Sequence, residues 1–307
     1  MSWIFLAVIG HLANGIAFAI DKILLRSAFS RSATYAGIVG ILSTVVLFLI
    51  PFVSRWPQGS FFWVAIVSGV TFILALWAFF AALARAEASR VVPIVGSLIP
   101  MLTLAGTFLF LAERLSDKTF IGFIFLIVAT VILSSGGKGK PSGEAIWLSI
   151  TSSILFAIAS VTAKAVYDDA GFLGSFITTR IAAVITSAFL LLVIDRRAGL
   201  EVLSMVHPAH RHATSRTKQP GKIAALLALV GQTLGAGGFI FVQWATSQGS
   251  ASIVNALQAV QYAFLVLAAL VLRKRAPQLL GENLTAHVLI LKSVALGLTA
   301  IGLALIV

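Results

Sequence analysis

Asn14-Gly15-Ile16-Ala17-Phe18-Ala19-Ile20-Asp21-Lys22 and Phe156-Ala157-Ile158-Ala159-Ser160-Val161-Thr162-Ala163-Lys164 read as two copies of one apolar segment, each closing on a lysine. A second shared block follows in each half, Ala88-Ser89-Arg90-Val91-Val92-Pro93 and Ala251-Ser252-Ile253-Val254-Asn255-Ala256. Two weakly similar, strongly apolar halves are the sequence sign of a transporter built from internal repeats.

Composition agrees. The chain is 59% hydrophobic and 10% charged, with a mean hydropathy of +1.05. That is too little charge to cover a soluble surface, so the chain reads as an integral membrane protein. The net charge of +12 would suggest a nucleic-acid partner in a soluble chain. Here loop Lys and Arg set orientation and meet anionic headgroups, so lipid is the expected partner and nucleic acid is not. The absence of cysteine excludes disulfides and thiolate metal sites. Ala17-Phe18-Ala19 resembles a signal cleavage site, but no Lys or Arg precedes the apolar run, and 3–24 reads as a retained first helix.

A spanning helix needs roughly 20 apolar residues to cross about 30 Å of hydrocarbon. On that basis the spans fall at 3–24, 33–53, 60–84, 91–112, 118–135, 145–166, 173–194, 222–245, 251–272 and 288–307. The expected fold is all-α, with ten transmembrane helices arranged as two five-helix repeats around a central cavity. Five is odd, so the second repeat enters the membrane in the opposite sense. The polar, basic loop 195–221 is too hydrophilic to span, and a short interfacial helix is expected near Leu200–Val206. Loops between helices 1–2, 3–4, 5–6, 7–8 and 9–10 carry most of the Lys and Arg, which puts that side in the cytoplasm and both termini outside.

The first half ends with Pro93-Ile94-Val95-Gly96-Ser97-Leu98-Ile99-Pro100, an apolar run, Ala112-Glu113-Arg114-Leu115-Ser116, and a glycine-bearing helix from Phe120. Together with the Asn14–Lys22 block this resembles the EamA domain of the drug/metabolite transporter superfamily. The resemblance covers two domains, 1–135 and 145–307. In the second, Arg273-Lys274-Arg275-Ala276-Pro277 stands where the glutamate block is expected, and Gly281-Glu282-Asn283-Leu284 comes later. The resemblance implies alternating access in a plasma membrane (the bacterial inner membrane), no cofactor, and a small-molecule substrate. It also implies cytoplasmic termini, against the charge count. A monomer and a homodimer are both compatible with it.

Polar groups at mid-membrane depth are costly, which makes them candidates for function. His11 and Asn14 lie three apart on helix 1, so they share a face. Asn255, Gln258, Gln261 and Tyr262 form a polar stripe on helix 9 that lines the cavity or bonds neighbouring helices. Trp77, Gln232 and Gln243 are weaker candidates, and Trp77 could equally anchor at the interface. Lys22, Lys164 and Arg180 are read as gate or rim cations, with Arg180 pairing Asp168 or Asp169; snorkelling to headgroups is the plain alternative for the lysines. Glu113 reads as a structural carboxylate at a helix end. His207, His210 and His212 have no accompanying carboxylate, so no metal site is expected.

No nucleophile-base pair or carboxylate cluster suggests an enzyme. The resemblance implies that exporters of lipophilic cations use a buried Glu in the first helix; here His11 and Asn14 stand at that depth with no Asp or Glu in mid-span, so such cations fit poorly. A neutral, zwitterionic or anionic metabolite such as an amino acid fits better. The alternative is a flippase, or flippase subunit, for a lipid-linked sugar.

Overall fold

The computed structural model describes residues 2–24, 31–86, 88–134, 142–206, 222–271 and 286–307, and no strand occurs among the described residues. The helices are α1 (Ser2–Leu24), α2 (Ser32–Leu42), α3 (Ser60–Leu83), α4 (Ala88–Leu111), α5 (Asp117–Ser134) and α6 (Gly143–Ala170). They continue with α7 (Phe172–Phe189), α8 (Arg196–Val206), α9 (Lys222–Gln248), α10 (Ala251–Ala256), α11 (Gln258–Val271) and α12 (Ala286–Ile306). Helix is the expected answer to an apolar solvent, because each segment satisfies its own backbone.

Six described stretches are long and apolar enough to cross a bilayer: Ser32–Phe52, Ser60–Leu83, Ile94–Leu111, Gly143–Ala170, Phe172–Ile194 and Ala251–Ala268. Trp3–Ala17 and Ile290–Ile306 are apolar but shorter. Phe48, Trp63, Phe110, Trp147 and Val271 are exposed on the outside, where lipid would cover them.

Two of these stretches change pitch. After α2 the chain tightens into a 3-10 segment, Ser43–Phe52, which contains Pro51. The hydroxyls of Ser43 and Thr44 donate back to the Val39 and Ile41 carbonyls at 3.2 and 2.8 Å, competing with the regular ladder where the change begins. After α7 a π turn, Leu190–Ile194, ends where the Asp195 N–H reaches the Leu190 carbonyl at 2.8 Å. Asp195 then caps α8 through the Ala198 N–H at 3.1 Å and pairs with Arg31 at the start of α2, also at 3.1 Å. The helix expected near Leu200–Val206 therefore begins earlier, at Arg196. Ala198 and Gly199 are buried while Leu200 and Leu203 are exposed, as suits a helix lying in the interface. His207, His210 and His212 lie outside the described residues.

The halves pack on each other. α1 lies on α9 and α11, α6 lies on α3 and α4, and α5 lies on α12. The α1–α9 crossing is close because both helices carry glycine there. A Cβ on Gly10 would sit 2.8 Å from the Gly238 carbonyl oxygen, and one on Gly238 would sit 2.7 Å from that of Gly10. α4 runs unbroken through Pro93 and Pro100. At the helix ends, Arg85 after α3 pairs with Glu144 on α6 at 2.6 Å.

Candidate functional site

Nothing in Asn255-Ala256-Leu257-Gln258-Ala259 announces a helix break, yet α10 stops at Ala256 and α11 restarts at Gln258. Across Leu257 the ladder slips to a three-residue bond, with the Val260 N–H reaching the Leu257 carbonyl at 2.9 Å. In an unbroken helix the Val254 carbonyl would take the Gln258 N–H. Here it faces His11 of α1, whose Nε2 lies 2.8 Å away. A carbonyl only accepts, so Nε2 carries the proton. His11 is 6% exposed, with Gln261 beside its ring. His11 thus supplies a donor to the broken helix across the halves.

This gives a direct prediction. His11→Phe leaves a buried carbonyl unsatisfied and should cost about 1–3 kcal/mol. His11→Gln keeps a donor and should recover part of that loss in a thermal melt. Equal melting of the two variants would mean the bond contributes nothing.

The break also divides the polar stripe expected along helix 9. Asn255 Nδ2 donates to Thr103 Oγ1 of α4 at 3.0 Å and to Ser160 Oγ of α6 at 3.2 Å, so its amide ties three helices together. Gln261 packs towards Gly15 of α1, whereas the Tyr262 hydroxyl turns to Gly96 of α4. Gln258 is half-buried, and its side chain makes no hydrogen bond among the described residues. Asn14 lies at the α1–α9 crossing, where a Cβ on Gly238 would come 2.5 Å from its Oδ1. His11, Asn14 and Gln261 are therefore brought together, with Gln258 one turn along α11.

The other candidates lie elsewhere. Trp77 packs with a separate apolar cluster containing Ala33, Ala183 and Leu190. Lys164 pairs with Asp168 at 2.7 Å one turn along α6. The Lys22 side chain lies outside the described residues. Arg180, expected at a rim and paired to Asp168 or Asp169, is instead 3% exposed and near the middle of the Phe172–Ile194 stretch. Asp168 is already occupied by Lys164. The Arg180 Cζ lies 4.3, 5.0 and 5.8 Å from the ring centroids of Phe72, Phe239 and Phe176.

Glu113 has a clear structural task. Ala112 adopts φ +53°, turning the chain out of α4, and Glu113 Oε1 then accepts from Ser252 Oγ at 3.3 Å. Ser252 is in the first turn of α10, where a carboxylate also meets the positive helix end. Glu113→Gln should therefore lower stability only modestly, by about 0.3–1 kcal/mol in a thermal melt.

One buried cation was not foreseen. Lys292 of α12 is 3% exposed, with Nζ 3.4 Å from the Leu133 carbonyl in the last turn of α5. Terminal carbonyls favour a cation. Its signal was visible as a lone lysine inside the last apolar span.

Comparison with known proteins agrees with this architecture. One solved crystal structure of a protein is 18% identical, covers 97% of this chain and 97% of its own, and superposes with a TM-score of 0.62, a likeness of fold alone. No curated protein matches the sequence. Residues 1–135 match the EamA-like transporter family, a family of transporters rather than enzymes. The chain is therefore a multi-pass membrane protein whose residues 1–135 are EamA-like, and the EamA-like transporter family lies within the drug/metabolite transporter superfamily.

Proposed function

We propose that the chain is a secondary transporter in the plasma membrane, moving a small neutral, zwitterionic or anionic metabolite such as an amino acid by alternating access. In this reading α1, α5, α9 and α12 complete ten spans with the six longer apolar stretches, as two inverted five-helix repeats around a central site. The packing supports it: α1 meets α9 and α11, and α6, its counterpart in the second repeat, meets α3 and α4. Exchanging the halves converts one set of neighbours into the other.

The observation that carries the proposal is the interrupted helix α10–α11, stitched by His11 and flanked by Asn14, Gln258 and Gln261. Discontinuous membrane helices are where transporters of this general design hold substrates, because the break frees backbone and side-chain polar groups at depth. Gln258 and Asn14 are the proposed contacts, since neither side chain is used in a hydrogen bond among the described residues.

The test is counterflow uptake into proteoliposomes from a panel of labelled amino acids and organic acids. Gln258→Ala and Asn14→Ala should each lower uptake of the accepted substrate by about tenfold or more while remaining monodisperse, the loss expected when a buried polar partner is removed. Full uptake by both variants would reject this lining.

One feature favours the flippase reading. An open apolar groove of about 440 Å³ on the outer surface is lined by Met101, Leu104, Phe108 and Phe120, with Glu113 and Arg114 on its wall, so that apolar chains would meet a charged pair there. Scrambling of a fluorescent polyprenyl lipid in the same vesicles, without uptake of any soluble solute, would decide for it.

A further inference from the structure

Arg180 holds a fixed positive charge in the middle of an apolar segment, and among the described residues it forms no ion pair and no hydrogen bond. Its Nε is buried without a partner. The nearby phenol of Tyr167 is buried as well, 3% exposed, and brings no negative charge. What Arg180 does have is aromatic surface: Phe72 from α3, Phe176 from its own helix and Phe239 from α9. Aromatic rings attract a guanidinium through its π faces. They leave the in-plane N–H edge unused, and that edge is the part shaped for two parallel bonds to a carboxylate.

The surroundings join this charge to the amide cluster. Phe239 follows Gly238, which touches Asn14, and Phe72 meets Phe156, one turn before the Ser160 that bonds Asn255. Arg180 is thus linked to the amide cluster through α9, which supplies both Phe239 and Gly238, and through the Phe72–Phe156 contact with α6.

We propose that Arg180 is the anion anchor of the transport site, binding the carboxylate of an organic acid or amino acid with a flat, apolar body. The proposal rests on the transporter reading above and narrows its substrate class. The aromatic rings hold the guanidinium in place, and the incoming carboxylate supplies the counter-charge that the protein itself withholds.

The experiment is a thermal melt of the purified full-length protein with benzoate, phenylacetate and indole-3-acetate, each beside its uncharged amide at matched concentration. At least one acid should raise the melting temperature more than its amide. That response should vanish in Arg180→Met. In Arg180→Lys, which keeps the charge but loses the fork, it should require about tenfold more acid. If Arg180→Met fails to fold, Arg180→Lys alone decides. Amides as effective as acids, no response to any acid, or an unchanged response in the variants would each overturn the proposal. Counterflow of the labelled acid separates the two readings. Acid-selective binding without uptake keeps the anchor and rejects transport of that acid, whereas uptake indifferent to Arg180 keeps transport and rejects the anchor.

Discussion

Ligand-free protein carrying Arg180→Met is expected to melt higher than the wild type. Two terms compete. Interaction with three rings stabilises the guanidinium by about 2 kcal/mol when desolvated. Removing an ion from water costs several kcal/mol, and no partner among the described residues offsets it. The second term is larger, so an unbranched apolar side chain of similar length should be preferred. Methionine suits such an irregular aromatic site. Replacing buried charges by well-packed apolar groups has stabilised other proteins by about 1–4 kcal/mol. Differential scanning fluorimetry in detergent, without ligand, reads this directly. A melting temperature below the wild type would mean that the guanidinium is already satisfied and has no need of an incoming anion.

The second large effect is steric. Gly238→Val places a branched side chain where its Cβ alone would stand 2.5 Å from Asn14 Oδ1 and 2.7 Å from the Gly10 carbonyl. Asn14 can swing aside, but the Gly10 backbone cannot move without displacing α1. If α1 retreats, His11 loses the Val254 carbonyl as well. Overpacking costs about 1–3 kcal/mol, and an unsatisfied buried carbonyl adds about 1–3 kcal/mol. Together these suffice to remove most of the monodisperse protein. Gly237 provides the control, because a Cβ there meets nothing within 4 Å. Size-exclusion profiles and melting curves should therefore separate Gly238→Val sharply from Gly237→Val. Similar behaviour of the two would show that the helices do not cross as closely as described.

What could be read from the chain, and what could not, follows from the range of the interactions. Apolar length is a local property, so the position of stretches such as Ser60–Leu83 was legible in the sequence. Glu113 was recognisable as a helix-end carboxylate, but its partner Ser252 is too distant in sequence to infer. The polar stripe from Asn255 to Tyr262 was visible and expected to meet one surrounding; Asn255 and Tyr262 both reach α4, whereas Gln261 lies against α1. That expectation assumed a continuous helix, and the break at Leu257 carries no proline or glycine to reveal it. Arg180 stood out as a cation in an apolar run. It was expected to pair with Asp168 or Asp169, and Asp168 is held instead by Lys164, four residues away on the same helix, where proximity along the chain decides the pairing.

The bond from His11 to Val254 joins residues 243 positions apart. During synthesis, at roughly 5–20 residues per second, α1 waits about 10–50 seconds for that partner to be made. Throughout the wait its imidazole and the Asn14 amide have no home in the first half. The amino-terminal helices therefore enter the bilayer as a provisional assembly, with a polar seam to be sheltered by the insertion machinery or by water. Maturation ends only when the carboxy-terminal helices arrive to close it. A chain truncated before α10 should accordingly be recognised as unfinished by quality-control proteases, even though every helix it contains is already inserted.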